Sequence, residues 1–302
     1  MIGAIEISWR GLAAVLLAVA VILGMASAAV AAPGLWVAKG PNATVYLFGT
    51  FHLLRRGEVW EPPEVAFAFA ASQELWLEVP NPDDAETAQK LTHEFGFDPA
   101  HPLSTKLPPA DLAHLDAAAK SLGIADGEKA LEPMRPWLVS VALEDALVVH
   151  AGYDPASGVE AVLLRDARAA GKTVRGFETL DQQLHFFADM KPALELDLLE
   201  NTLEDLDQGP RKLTELIDAW LKGDDAAIAR TMVDEIKQPF PALYQTILVS
   251  RNDAFAEAIA AMVRGSGVRF VAVGAAHLAG TDSVQAALAR RNIQVERIAT
   301  TH

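Results

Sequence analysis

Cysteine is absent from all 302 residues. That removes disulfides, a thiol nucleophile, thiolate zinc sites and a lipid-modified cysteine at once. Bases are scarce beside acids, 25 Lys+Arg against 40 Asp+Glu, for a formal charge of -15. Such a chain lacks the basic face that neutralises a nucleic-acid backbone or adheres to anionic lipid. Nucleic acid is therefore excluded as a partner, and a peptide or small-molecule substrate fits better. The chain also lacks a separating linker and a solenoid period. With 51% hydrophobic and 22% charged residues, it has ample material for a large core.

Several familiar motifs are missing too. "AGKT" at Ala170 to Thr173 has Asp166 where a phosphate loop requires glycine, and it precedes a strand pattern instead of following one. His93 and His101 do not have the i, i+4 spacing of a zincin helix, and "GSG" around Ser266 is no nucleophile elbow.

A long uncharged run occurs once, from Gly11 to Ala32 after Arg10. Its apolar centre, Leu12 to Met25, and the small residues Ala29-Val30-Ala31 read as a cleavable signal peptide over 1–31. The alternative is an uncleaved anchor, since about 20 apolar residues span a bilayer. Either way the expected location is periplasmic or secreted, with membrane contact only through this segment.

The rest, 33–302, reads as a single α/β domain. Leu35 to Lys39 and Thr44 to Gly49 flank "GPNA" as a hairpin, and "ELWLEVP" reads as a strand closed by Pro80. A helix ends at Gly171 before a strand near Thr173 to Phe177, and the strand Val268 to Val273 returns near the end, followed by Gln294 to Ile298. Between them, about 83–152 and 192–264 carry helical spacing between Pro and Gly breaks. The expectation is a central mixed sheet built from two related α/β halves, with a large helical insertion and surrounding helices.

Two strand-Gly-x-x-His units stand out, "LFGTFH" with Gly49 and His52 and "AVGAAH" with Gly274 and His277. Glu78 follows a third apolar strand and Glu178 a fourth. Ligands of open α/β sheets bind beyond the carboxyl ends of strands, so four strand tips can deliver two imidazoles and two carboxylates to one pocket. These groups suit metal binding or acid–base work. The blander readings are hydrogen-bonded loop histidines, a structural ion pair at Glu78 and a helix-dipole contact at Glu178. Arg251 and Asn252 lie within an amphipathic helix pattern, where solvation or pairing with an acid is the plain alternative.

From "LWVAKGPNATVYLFGTFHLL" through "LWLEVP", "GVEAVLLRDARAAGKTVRGFETLDQQL" and "SRNDAFAEAI" to "FVAVGAAHLAGTDSV", the chain resembles the TraB/PrgY/GumN family. That family is related to the Tiki metalloproteases and is similar in fold to erythromycin esterases and haem-binding ChaN proteins. The resemblance implies functional roles for both Gly-x-x-His units, Glu78, Glu178 and Arg251-Asn252. Two departures are Glu160 in "GVE", where Asp is common, and "GAAH" for the second histidine loop.

The expected function is an exported, metal-dependent, protease-like hydrolase. In it, His52, His277, Glu78 and Glu178 hold Mn²⁺, Co²⁺ or Zn²⁺, Glu78 is the general base, and Arg251 orients a carboxylate or stabilises an oxyanion. The alternatives are a metal-independent esterase-like hydrolase and a non-catalytic envelope protein that binds a peptide, a signal molecule or haem.

Overall fold

Alternate residues of a strand face opposite sides of its sheet, and the strand Asn42–Thr50 uses both sides for burial. Tyr46 and Phe48 pack into one hydrophobic cluster with Leu75, Phe270, Trp60 and Trp220. Val45 and Leu47 pack into another with Val271, Val273, Phe255 and Ile259. Each such buried side chain contributes about 1.5–3 kcal/mol. Helices therefore cover both faces.

The computed structural model describes residues 32–299 other than Asp207. The expected signal segment, 1–31, lies outside the described residues. No helix among the described residues is long and apolar enough to cross a membrane.

The strands are β1 (Leu35–Lys39), β2 (Asn42–Thr50), β3 (Leu54–Arg55), β4 (Glu74–Leu77), β5 (Tyr153–Asp154), β6 (Thr173–Gly176), β7 (Ser266–Gly274) and β8 (Val295–Ile298). Six of them form one mixed sheet in the order β6-β4-β7-β2-β1-β8. The run β6-β4-β7-β2 is parallel, and β1 is antiparallel to both β2 and β8. The expected α/β class and the opening hairpin are both present. The two strands that precede the Gly-x-x-His units, β2 and β7, are neighbours at the middle of the sheet, with Gly49 paired to Val273 and Thr50 to Gly274. A second, two-stranded pairing of β3 with β5 is new relative to the sequence reading.

The helical regions include Ala85–Gly96, Pro109–Ser121, Pro136–His150, Pro192–Asp205 and Gly209–Leu221. Three of these begin on proline, whose fixed φ suits the first helical position. They share a core of their own built on Leu115, Val139, Leu143, Leu199 and Leu203. Trp220 ties this layer to the sheet, because its indole N–H donates to the Gly49 carbonyl at 2.8 Å.

The stretches expected as plain helix over Asp225 to Ile236 and Pro239 to Arg264 contain two π-helical turns, Ala229–Asp234 and Gln245–Val249. The second runs directly into the helix Ser250–Arg264 that carries Arg251 and Asn252.

Candidate active site

The four parallel strands bring Glu178 from β6, Glu78 from β4, His277 from β7 and His52 from β2 to one edge of the sheet. The expected residues do come together. The backbone locks the first pair side by side, with the Glu178 N–H donating to the Glu78 carbonyl at 2.8 Å.

Arg251 enters between these two carboxylates. Its Nη2 donates to Glu78 Oε2 at 2.5 Å and to Glu178 Oε2 at 2.8 Å, while Nε donates to Glu178 Oε1 at 2.9 Å. Nη1 donates to the Ile247 carbonyl at 3.0 Å, so the π-helical turn beneath it sets where the guanidinium points. Phe186 and Phe255 lie against that guanidinium, 5.2 and 5.4 Å from its carbon to the ring centres. Gln183 donates to Glu78 at 3.1 Å and to Glu178 at 3.2 Å.

Glu78 is nearly buried and fully engaged. Its Oε1 accepts from the Gly274 N–H at 2.8 Å. A Cβ on Gly274 would sit 3.2 Å from that same oxygen. Glycine therefore eases close approach of the carboxylate here, while its φ of -49° is open to other residues. Burial opposes ionisation of Glu78, but the charges of His277, Arg251 and His52 and the Gly274 N–H outweigh it and leave the carboxyl at about 2.

The two histidines occupy opposite environments. His277 is 4% exposed, and burial pushes its imidazole down to about 4. Its Nδ1 lies 2.5 Å from Asn252 Oδ1, and Asn252 Nδ2 donates to the Asp282 carbonyl at 2.8 Å. A carbonyl only accepts, so the amide must turn its oxygen to the ring and Nδ1 must carry the hydrogen. His277 Nε2 then presents its lone pair 3.5 Å from Glu78 Oε1.

The His52 side chain is 67% exposed, and its Nδ1 is 2.8 Å from Glu160 Oε1. The Glu160 charge raises the imidazole to about 9, although water around the open ring screens that attraction.

Glu160 had appeared in the sequence only as a departure from a common aspartate, and its role emerges from packing. The N-terminus of helix Val159–Ala169 abuts the histidine loop, with the Val159 N–H donating to the Phe51 carbonyl at 3.0 Å. A Cβ on Gly158 would fall 2.0 Å from the His52 carbonyl oxygen, so only glycine admits this contact. Thr50 donates its hydroxyl to Glu160, and the second carboxylate oxygen, Oε2, is buried without a partner among the described residues. His52, Glu78, Glu160 and Gln183 line a cavity of about 90 Å³, room for a few waters. The short "GVE" start of a helix was the available signal for Glu160, and "RN" for Asn252.

The expected metal set of His52, His277, Glu78 and Glu178 converges, yet it does not fit a divalent ion. No group of three or more His, Asp or Glu among the described residues is arranged to hold one. Arg251 is instead ion-paired with both glutamates, its Nη2 lying 2.5 Å from Glu78 Oε2 and 2.8 Å from Glu178 Oε2.

A protein of Treponema pallidum (strain Nichols), itself uncharacterized, is 25% identical over 272 residues, covering 85% of this chain and 80% of that one. No solved structure matches the chain. The model of the TraB/PrgY/gumN family matches residues 34–297, which takes in every strand tip described above, and the chain belongs to that family.

Proposed function

We propose that the protein is an exported hydrolase of acyl bonds, peptide bonds foremost, that works by acid–base chemistry on His52 and His277. The observation that carries this reading is the opposed environment of the two histidines on either side of Glu78, one raised to about 9 and the other lowered to about 4. Titratable neighbours pushed apart in this way divide naturally into acid and base.

In the reaction, a water proton passes to His277 Nε2 while the water oxygen adds to the acyl carbon. Glu78, 3.5 Å away, stabilises the imidazolium that forms. His52, charged and open to solvent, donates its proton to the leaving nitrogen or oxygen as the acyl bond breaks. The products are an acid and an amine or alcohol, and proton exchange with solvent resets both rings. Arg251 holds Glu78 ionised throughout, and Glu160 aims His52. Export rests on the apolar run before Pro33.

A second reading has one observation in its favour. Glu78 is so completely hydrogen-bonded, to Arg251, Gln183 and Gly274, that it suits a rigid pocket for a non-catalytic binding protein.

Incubating the purified protein with a peptide library and an ester panel, with and without a chelator, separates the readings. Cleavage that survives the chelator and disappears in His277→Ala is the expected result. Absence of any cleavage, together with a ligand-dependent rise in melting temperature, would favour the binder.

A further inference from the structure

Away from the strand tips, the helical insertion encloses a cavity of about 580 Å³ whose walls include Phe187, Leu198 and Phe240. Its charged lining is unbalanced. Lys212 is held by Asp205 at 3.3 Å and by Glu235 at 3.4 Å, whereas Glu144 has no ion pair or hydrogen bond to its side chain among the described residues. Glu144 is solvent-accessible at this cavity, and the Asp145 carboxylate beside it adds negative charge. An acid in that condition lacks a counter-charge. Asn201 and Thr231 line the same space.

Both π-helical turns reach the cavity, one through Thr231 and the other through Ile247. Such turns are rare, and they are frequent at functional sites.

We propose that this cavity binds a small organic cation, an amine carried on a hydrocarbon or aromatic body. The walls take the apolar body, Glu144 pairs with the ammonium, and the oxygens of Asn201 and Thr231 accept its remaining hydrogens. A carboxylate-bearing ligand is disfavoured, because Glu144, Asp205 and Glu235 face it against Lys212 alone. His52 does not line this cavity, and the proposal stands whether or not the chain hydrolyses anything. A ligand seated against Ile247 touches the turn whose carbonyl holds Arg251.

Calorimetric titration of the full protein with 2-phenylethylamine, 2-phenylethanol and 3-phenylpropionate tests the proposal. The amine is expected to bind about tenfold more tightly than the alcohol, with no binding of the carboxylate. Glu144→Gln, which preserves size, is expected to erase the preference for the amine with an unchanged circular dichroism spectrum. Leu198→Trp, which fills the cavity, is expected to lose the amine altogether. Equal binding of all three probes, no binding of the amine, or a preference for the amine that survives in Glu144→Gln would each overturn the assignment.

Discussion

Asn252 and His277 form a fixed pair: the amide oxygen lies 2.5 Å from Nδ1 because the amide nitrogen is committed to the Asp282 carbonyl. The pair decides which imidazole nitrogen is available for chemistry. Asn252→Ala removes that decision, and turnover should fall about 100-fold, the low end of a general acid–base contribution. Nitrogen NMR of the imidazole checks the cause directly. Wild-type His277 should carry its hydrogen on Nδ1, and the variant should populate the other tautomer. An unchanged tautomer alongside lost activity would sink the positioning role.

The His52, His277 and Glu78 shifts together place the stability optimum of the strand-tip site near pH 6.5. His52 has a folded value of about 9 against an ordinary 6.5, so its contribution is complete below 6.5 and is lost as pH rises toward 9. His277 has a folded value of about 4, so the unfolded chain binds the extra proton between 4 and 6.5, and stability drops as pH falls through that window. Glu78, lowered to about 2 from an ordinary 4.5, adds a further loss as pH falls from 4.5. Melting temperatures from pH 3 to pH 10 would display both limbs. Glu160→Gln should flatten the alkaline limb and leave the acid limb in place.

Chelation should leave the protein intact. Arg251 is ion-paired with both carboxylates that a divalent ion would need, so prolonged dialysis against EDTA should change neither turnover nor melting temperature. Stoichiometric Zn, Mn or Co in protein purified without added metal, lost together with activity on dialysis, would reverse that conclusion.

Arg251→Met should be severely destabilising. The Glu78 and Glu178 side chains are 14% and 10% exposed, and without the guanidinium two mostly buried carboxylates face each other. Breaking one side of a buried pair costs about 3–5 kcal/mol. Denaturant unfolding measures the loss, and acidification should narrow the gap to wild type as the orphaned carboxylates take up protons.

The strand tips were legible because apolar runs ending in Gly-x-x-His, or in glutamate before a break, report a local pattern, and β2, β4, β6 and β7 each carry one. Glu160 was not legible as a partner, since its role depends on Gly158 letting a helix start press against the His52 loop far away in sequence. The π-helical turns were hidden for another reason. Their extra residue shifts the helical period over a single turn, too briefly for apolar spacing to record. The absence of a metal-binding group among the described residues turns on the same kind of long-range fact, because nothing local in "SRND" says that Arg251 reaches two strand tips.

The pairing of Thr50 with Gly274, instead of Gly49 with Gly274, places the two matching motifs one residue out of step. Side-chain parity in a sheet reverses with each residue, so this stagger breaks the symmetry that the repeated motif implies. Beyond that last pair both chains leave the sheet, the second motif as a 3-10 turn over Ala275–Leu278, and His52 ends exposed while His277 ends buried. A near-duplicate pair of words is thereby read in two different phases. From copies of one motif the fold obtains an imidazole open to bulk solvent and an imidazole screened from it.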